Sequence, residues 1–325
     1  MSKLQVSKTK AVSIFILAAM FLFYEMGVQV SPSVITSQLM HDLKLSAVGL
    51  GFMSGFYFYS YTLMQIPAGL LFDRFHVRWV VIVPLCLCAA GLLFFAHAES
   101  IVGGSLGRLL MGTGSAFAFI SVLVVASDLF DDKHFALLAG ITQMLAAFGA
   151  MMGEGPLVPL VANNGWRHTM VLLAMVAIVL VVIIAIFVRY EKCNKFKEIE
   201  KPKKTHIFSS LEVLVKSKQT WYIAVYACVL WAPMAAFASL WGVPYFETVY
   251  GLTKSQSANL IALMWLGIAL GSPVIGFLSD YMKSRRAPLV ITAVLGFFGF
   301  LVINAHLAIP LWMVGVCLFA AGVAC

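Results

Sequence analysis

Charged residues are scarce in this sequence. Asp, Glu, Lys and Arg make up 11% of the 325 residues, whereas hydrophobic residues make up 62% and the mean hydropathy is +0.96. Because soluble domains carry about 25% charged residues, this composition excludes an ordinary soluble fold. Cysteine is also rare, and none of the six is spaced as a metal ligand or as part of a disulfide framework. The sequence therefore predicts neither a metal site nor a cofactor.

Long apolar runs dominate the chain instead. A helix needs about 20 apolar residues to cross roughly 30 Å of hydrocarbon. The ten runs that approach this length are 11–34, 47–72, 79–97, 101–127, 135–161, 168–189, 219–246, 256–279, 287–306 and 310–325. They predict an all-α, polytopic membrane protein. Because the chain has no Cys-x-x-Cys pair and no Gly-rich lysine loop for phosphate, we do not expect an enzyme or an ATP-driven machine.

The distribution of basic residues predicts the topology. The net charge is +8, and if the N-terminus is cytoplasmic nearly all Lys and Arg residues fall on that side. The exceptions on the opposite side are Lys44, Arg167 and Lys254. This is the positive-inside pattern, so the surplus charge indicates contact with a lipid bilayer and not with nucleic acid. We expect a multi-pass protein of the bacterial inner (cytoplasmic) membrane with a cytoplasmic N-terminus.

A Lys-rich polar interval divides the spans into six and four. It predicts an N-terminal six-helix bundle over 1–190, a cytoplasmic linker over 191–218, and a partial C-terminal bundle of four helices over 219–325. The last run, Leu311–Cys325, would rise only about 22 Å as a helix. We therefore expect a six-plus-six plan that is truncated at its C-terminus.

Two similar charged turns follow span two and span eight. The first spans residues 69–78 and the second residues 276–286, and each places a Gly and an Asp four residues apart before a basic cluster. The first turn resembles the signature of the major facilitator superfamily, roughly Gly-x-Leu-x-Asp-Arg-x-Gly-Arg-Arg. A second element, the Arg-x-x-x-Gly-x-Gly spacing of Arg108, Gly112 and Gly114, also resembles the sequences of this family.

The resemblance implies two helical bundles that rock around a central site, which is alternating access. It also implies that both turns form a conformational gate, whose candidate residues are Gly69, Asp73, Arg74, Arg78, Gly276, Asp280 and Arg285. Three Gly-x-x-x-Gly stripes begin at Gly51, Gly149 and Gly267. Such stripes allow close helix approach in lipid. We expect them at the contact between the two bundles.

Three charged residues lie inside apolar spans: Glu25, Arg108 and Glu154. A charge in hydrocarbon costs at least about 2.5–3.5 kcal/mol, so each should face a cavity or a partner. We expect Arg108 to alternate between a carboxylate and an anionic group of the substrate, while Glu25 or Glu154 gains and loses a proton. A permanent ion pair that only positions helices is the alternative.

Aromatic and polar residues near these charges predict the cavity wall. The candidates are Tyr24, Gln29, Ser33, Tyr57, Tyr61, Trp231, Trp241 and Tyr245. The stretch Trp241–Tyr245 contains Gly242 and Pro244 and is expected to interrupt span seven, as helices often break at transporter sites.

These features predict secondary active transport, coupled to protons, of a small organic anion such as a sugar acid. The sequence of Gln65–Gly69 resembles that of bacterial organic-anion permeases. It also resembles that of the branch that contains the lysosomal dipeptide transporter. Transport of amino acids or dipeptides is therefore an alternative. An inactive fragment and a non-transporting membrane sensor also stay open, as does a homodimer.

Overall fold

The computed structural model describes residues 7–131, 134–188, 215–282, 286–304 and 310–324. The side chains of 136, 276, 279, 280 and 304 are not described. The regular elements are all helices: α1 (Lys8–Val30), α2 (Pro32–Asp42), α3 (Ala47–Arg74), α4 (Val77–Ala96), α5 (Ile101–Ser115), α6 (Ala118–Leu129), α7 (Phe135–Glu154), α8 (Leu157–Phe187), α9 (Lys218–Ala236), a π-helical segment (Phe237–Trp241), α10 (Gly242–Tyr250), α11 (Lys254–Tyr281), α12 (Arg286–Asn304) and α13 (Leu311–Ala324).

The helices confirm an all-α, polytopic membrane protein. Eight helical stretches in the described residues are long and apolar enough to cross a membrane. Helix α3, with 28 residues, and the shorter apolar α13, with 14 residues, account for the two remaining predicted spans. The predicted linker at 191–218 lies mostly outside the described residues, so the division at that point stays a prediction.

Several spans are broken into two pieces. Ser31 separates α1 from α2, and Gly155–Pro156 separates α7 from α8. Within α8, Gly165 has a φ of 74°, a left-handed conformation that favours glycine. Gly165 therefore marks the turn between spans five and six. Span five comprises α7 and the start of α8, and span six begins at Trp166.

The predicted interruption of span seven lies slightly earlier than expected. The sequence predicts it at Trp241–Tyr245, whereas the structure has a π-helical segment over Phe237–Trp241. Pro233 precedes this segment and Pro244 follows it, and each removes one backbone N–H from the helical hydrogen-bond pattern. Single π-helical turns of this kind occur often at functional sites.

Because consecutive spans alternate in direction, the turns gather at two ends of the molecule. We name the Asp42 end after the turn between α2 and α3, and the Arg74 end after the turn between α3 and α4. Helices α1–α8 form the first half and α9–α13 form the second half.

The glycine stripes pack helices within each half, so the expectation that they all lie between the bundles was wrong. A Cβ atom on Gly149 would lie 2.8 Å from the Cα of Phe23 in α1, and one on Gly271 would lie 2.8 Å from the Cα of Val323 in α13. In lipid, small residues allow two helix backbones to pack closely, and this applies within a bundle as well as between bundles. Gly51 does face the other half, where a Cβ would meet Cζ2 of Trp241 at 3.7 Å.

The two halves meet chiefly toward the Asp42 end. Helix α7 packs against α11, and α2 packs against the π-helical segment and α10. A hydrogen bond of 3.4 Å from Lys254 Nζ to Ser37 Oγ joins α11 to α2 at this end. These contacts hold the halves together beside a cavity that lies between them.

Candidate functional site

Three buried side chains from three helices form a polar cluster in the first half. Glu25 of α1 and Arg108 of α5 are each 2% exposed, and Tyr57 of α3 is fully buried. The Tyr57 hydroxyl donates a hydrogen bond to Oε1 of Glu25. Ser115, at the end of α5, lies beside the same carboxyl group. The sequence-predicted residues Glu25, Tyr57 and Arg108 are therefore brought together.

The guanidinium of Arg108 is held without a carboxylate. Its Cζ lies 4.4 Å from the centroid of the Tyr57 ring, and Nη2 donates to the carbonyl oxygen of Gln29 at 3.5 Å. Nε is buried and has no hydrogen-bond partner among the described residues, and none of their carboxylates forms a salt bridge with this side chain. A cation over an aromatic face is only partly compensated. Arg108 thus keeps the capacity to bind an anion.

The glycines that follow Arg108 explain how this cluster forms. A Cβ atom on Gly112 would lie 2.8 Å from the carbonyl carbon of Tyr57, so α3 and α5 touch along their backbones. On the other side, a Cβ atom on Gly114 would meet the backbone nitrogen of Cys88 in α4 at 3.0 Å. The Arg-x-x-x-Gly-x-Gly pattern therefore lets the Tyr57 ring pack against the guanidinium of Arg108.

Beside this cluster, a cavity of about 610 Å³ lies between the two halves. The first half contributes Gly51, Ser54, Phe58 and Arg108 to its lining. The second half contributes Ala227, Cys228, Trp231, Ala232, Ala235, Ala236, Ser239, Leu240 and Trp241. Trp231 and Trp241 were predicted from the sequence, whereas Ser54 and Ser239 were not. The position of Ser54 between Gly51 and Gly55 was the available signal, because it places a hydroxyl on the small-residue stripe.

Six of the eight predicted cavity-wall residues do not line this cavity: Tyr24, Gln29, Ser33, Tyr57, Tyr61 and Tyr245. For Tyr24 and Tyr245 the assignment was wrong. Tyr24 points away from Glu25 and donates its hydroxyl to the Leu173 carbonyl oxygen in α8 at 2.8 Å. Tyr245 donates to the Ile303 carbonyl oxygen in α12 at 2.9 Å. Tyr61, in contrast, stacks on the ring of Tyr57, with centroids 6.2 Å apart. Tyr61 therefore supports the cluster from one turn further along α3.

Glu154 does not contact Arg108, so the structure does not show the alternative pairing of these two residues. It ends α7, is fully buried, and accepts a hydrogen bond of 3.2 Å from Nε1 of Trp265 in α11. Its other oxygen, Oε2, has no partner among the described residues. Glu154 therefore joins the two halves.

The predicted gate is only partly described. Asp73 and Arg74 are exposed and form no salt bridge with another described residue, and the side chain of Arg78 lies over the Trp79 ring at 5.3 Å. A side chain on Gly69 would meet no atom within 4 Å. The side chains of Gly276 and Asp280, and the whole of Arg285, lie outside the described residues. The gate stays a prediction.

At the Asp42 end, a polar contact ties span one to span six. Nε1 of Trp166 donates to Oδ2 of Asp42 at 2.7 Å, and Nδ1 of His41 lies 3.0 Å from Oδ1. The hydrogen bonds from His41 and Trp166 hold the pKa of the Asp42 carboxyl below its usual value. Arg167 donates to the carbonyl oxygens of Ala96 and Ala98 at 3.0 and 2.9 Å, which fixes span six against span three. Among the described residues, no cluster of His, Cys, Asp and Glu could hold a metal ion.

The family follows from the comparison with known proteins. The model of the Major Facilitator Superfamily matches residues 15–325. The chain belongs to the Major Facilitator Superfamily. The superfamily fold is also that of a bacterial homologue of the human lysosomal transporter Spinster, in an inward-facing and unoccupied crystal structure. That structure has a TM-score of 0.75 at 18% identity, and the match covers 98% of this chain and 73% of the other.

Curated relatives in the superfamily are transporters. The chain is 25% identical to the uncharacterized transporter YybO of Bacillus subtilis (strain 168) over 80% of its length. It is 21% identical to a hexuronate transporter of the same organism over 76%, and 20% identical to the lysosomal dipeptide transporter MFSD1 of Danio rerio over 77%. The chain spans 63%, 59% and 57% of these relatives, respectively. The prediction of a transporter family, and not an enzyme, is confirmed.

Proposed function

We propose that this protein moves an organic anion across a membrane by alternating access, together with a proton. The observation that supports this most directly is the Arg108 guanidinium, which lines the cavity between the halves and has no carboxylate partner among the described residues. Charged residues inside a membrane bundle are costly, and they often mark the path of a substrate or an ion. Arg108 then binds the anionic group of the substrate.

Several relatives carry names that agree with an anionic substrate. Besides the hexuronate transporter, they include a probable sulfoacetate transporter of Cupriavidus necator and a probable L-galactonate transporter of Escherichia coli (strain K12). Hexuronate, sulfoacetate and L-galactonate are all anions. The dipeptide alternative is supported by MFSD1, because a dipeptide also carries a carboxylate.

Glu25 is the proposed proton carrier. Tyr57 contacts both members of the pair, since its hydroxyl bonds to Glu25 and its ring lies below Arg108. When the substrate anion occupies Arg108, the positive charge near Glu25 is neutralised. A carboxylate that loses a cation in a low dielectric takes up a proton more readily, so anion and proton bind together. This coupling is symport.

The two halves are the proposed moving bodies, corresponding to a six-span bundle over 1–190 and a partial bundle over 219–325, with a linker between them. The polar turns at Asp73 and Asp280 would close the Arg74 end when the Asp42 end opens. We propose that the Arg74 end and the N-terminus lie in the cytoplasm and that the membrane is a bacterial inner membrane. The positive-inside distribution of the basic residues supports this orientation.

Uptake into proteoliposomes tests this proposal. We expect an inward-directed proton gradient to drive accumulation of at least one anion from a panel of glucuronate, galactonate, sulfoacetate and 3-phenylpropionate. Glu25→Gln should abolish the response to the gradient, and Arg108→Gln should abolish uptake. Glu99→Gln, at an exposed residue near the Asp42 end, is the matched control and should change neither. Gradient-driven uptake that persists in Glu25→Gln would rule out this residue as the proton carrier.

A further inference from the structure

We infer that the cavity beside Arg108 selects an organic monoanion with an apolar body, such as an arylalkanoate, over a polyhydroxylated acid. This inference rests on the proposed function, because it assigns the anionic group of the substrate to Arg108. It concerns the other part of the substrate, which must lie against the remaining cavity wall.

Among the described residues, few polar groups reach this wall. Apart from Arg108, the hydroxyl-bearing residues that line the cavity are Ser54 of α3 and Ser239 of the π-helical segment. Each is 3% exposed, and both hydroxyl oxygens, like Nε of Arg108, lack a hydrogen-bond partner among the described residues. Buried polar groups normally have partners. The three therefore indicate an anion and one or two hydrogen bonds in the same cavity.

The rest of the wall is apolar and aromatic. Trp231 and Trp241 lie ten residues apart, which corresponds to about 15 Å along a helix. Between them the cavity is lined by the methyl groups of Ala232, Ala235 and Ala236. Small side chains between two indoles form a shallow trough, and Phe58 lies on the facing helix. Such a trough complements a flat or aliphatic group.

This wall disfavours hydroxylated substrates, because it leaves their hydroxyl groups without hydrogen-bond partners. A hexuronate or galactonate carries several hydroxyls, and two serines offer too few partners for them. Each hydroxyl that loses water without gaining a hydrogen bond weakens binding. A dipeptide is also disfavoured, because no described carboxylate lines the cavity to pair with its ammonium group.

Equilibrium binding to the full chain in detergent tests the inference. Isothermal titration calorimetry would compare three probes: 3-phenylpropionate, its neutral amide 3-phenylpropanamide, and glucuronate. We expect 3-phenylpropionate to bind at least about tenfold more tightly than either of the others. Trp231→Ala should weaken binding of 3-phenylpropionate by about tenfold. Trp221→Ala, at an exposed tryptophan of the same helix that does not line the cavity, should leave the affinity unchanged.

The outcomes separate this inference from the proposed function. If glucuronate binds as tightly as 3-phenylpropionate, and Arg108→Gln abolishes its binding, the apolar selectivity is refuted while the anion site stands. If Arg108→Gln leaves the preference for the acid over the amide unchanged, the anion site itself is refuted. Absence of binding by all three probes would also overturn the inference. Thermal unfolding of each variant distinguishes loss of the site from loss of the fold.

Discussion

Alanine at Gly149 should destabilise the protein, whereas alanine at Gly140 of the same helix should stabilise it. A Cβ atom on Gly149 would lie 2.8 Å from the Cα of Phe23, but a Cβ on Gly140 would meet no atom within 4 Å. Carbon atoms normally approach to about 3.5–4.0 Å, so α1 and α7 must separate by roughly 1 Å to admit the methyl group.

The magnitude follows from two opposing effects. Replacing Gly by Ala in a helix contributes up to about 1 kcal/mol of stability at either position. Overpacking of a close contact costs about 1–3 kcal/mol, and this cost applies at Gly149 alone. The helix-propensity effect cancels when the two variants are compared. Gly149→Ala should therefore be less stable than Gly140→Ala by about 1–3 kcal/mol.

Thermal unfolding in detergent, followed by tryptophan fluorescence, measures this difference. With an unfolding entropy of about 2.1 cal/mol/K per residue, each kcal/mol corresponds to about 1.5 °C for a chain of 325 residues, so we expect about 1.5–4.5 °C between the two variants. Equal melting temperatures would refute a backbone contact between α1 and α7 at Gly149. Because α1 carries Glu25, Gly149→Ala should also reduce uptake driven by the proton gradient.

Three further predictions concern hydrogen bonds. Tyr57→Phe removes the hydrogen-bond donor to Glu25 but keeps the aromatic ring against the Arg108 guanidinium. Substrate affinity should therefore stay within about threefold, while uptake driven by the proton gradient falls about tenfold. Unchanged coupling in proteoliposomes would contradict this. Trp265→Phe removes the only hydrogen-bond donor to Glu154 among the described residues, and this should lower the free energy of unfolding by about 1–3 kcal/mol. A melting temperature equal to that of the parent protein would refute this contact between the halves. The pKa of Asp42 is lowered in the folded state, so its charged form stabilises the fold at neutral pH, and this stabilisation is lost as the pH falls below about 4. The melting temperature of Asp42→Asn should therefore drop less between pH 5 and pH 3 than that of the parent protein. Identical acid profiles of the two proteins would contradict this.

The spans and the central charges could be predicted from the sequence because the bilayer constrains both strongly. A charge inside hydrocarbon is costly, so Glu25 and Arg108 stand out against the apolar residues around them in the chain. Their proximity could not be predicted with the same certainty. It depends on how α1, α3 and α5 rotate about their axes. Glu154, the third charge inside an apolar span, contacts Trp265 instead.

The errors at Tyr24 and Tyr245 have the same origin. Adjacent residues on a helix point about 100° apart, so Tyr24 contacts α8 while Glu25 contacts Tyr57. Hydropathy alone does not indicate which face meets which neighbour. Ser54 and Ser239 were missed for another reason, because serine is common in membrane helices and the lack of a partner appears only in three dimensions.

The unpaired guanidinium of Arg108 has a consequence for the driving force. Under the proposed mechanism, the loaded site contains Arg108, the substrate monoanion and protonated Glu25, and its net charge is zero. The empty site after proton release contains Arg108 and ionised Glu25, and its net charge is also zero. A membrane potential acts with about 2.3 kcal/mol per elementary charge for each 100 mV, but here it has no net charge to move. Such a carrier responds to the pH difference across the membrane and is insensitive to voltage.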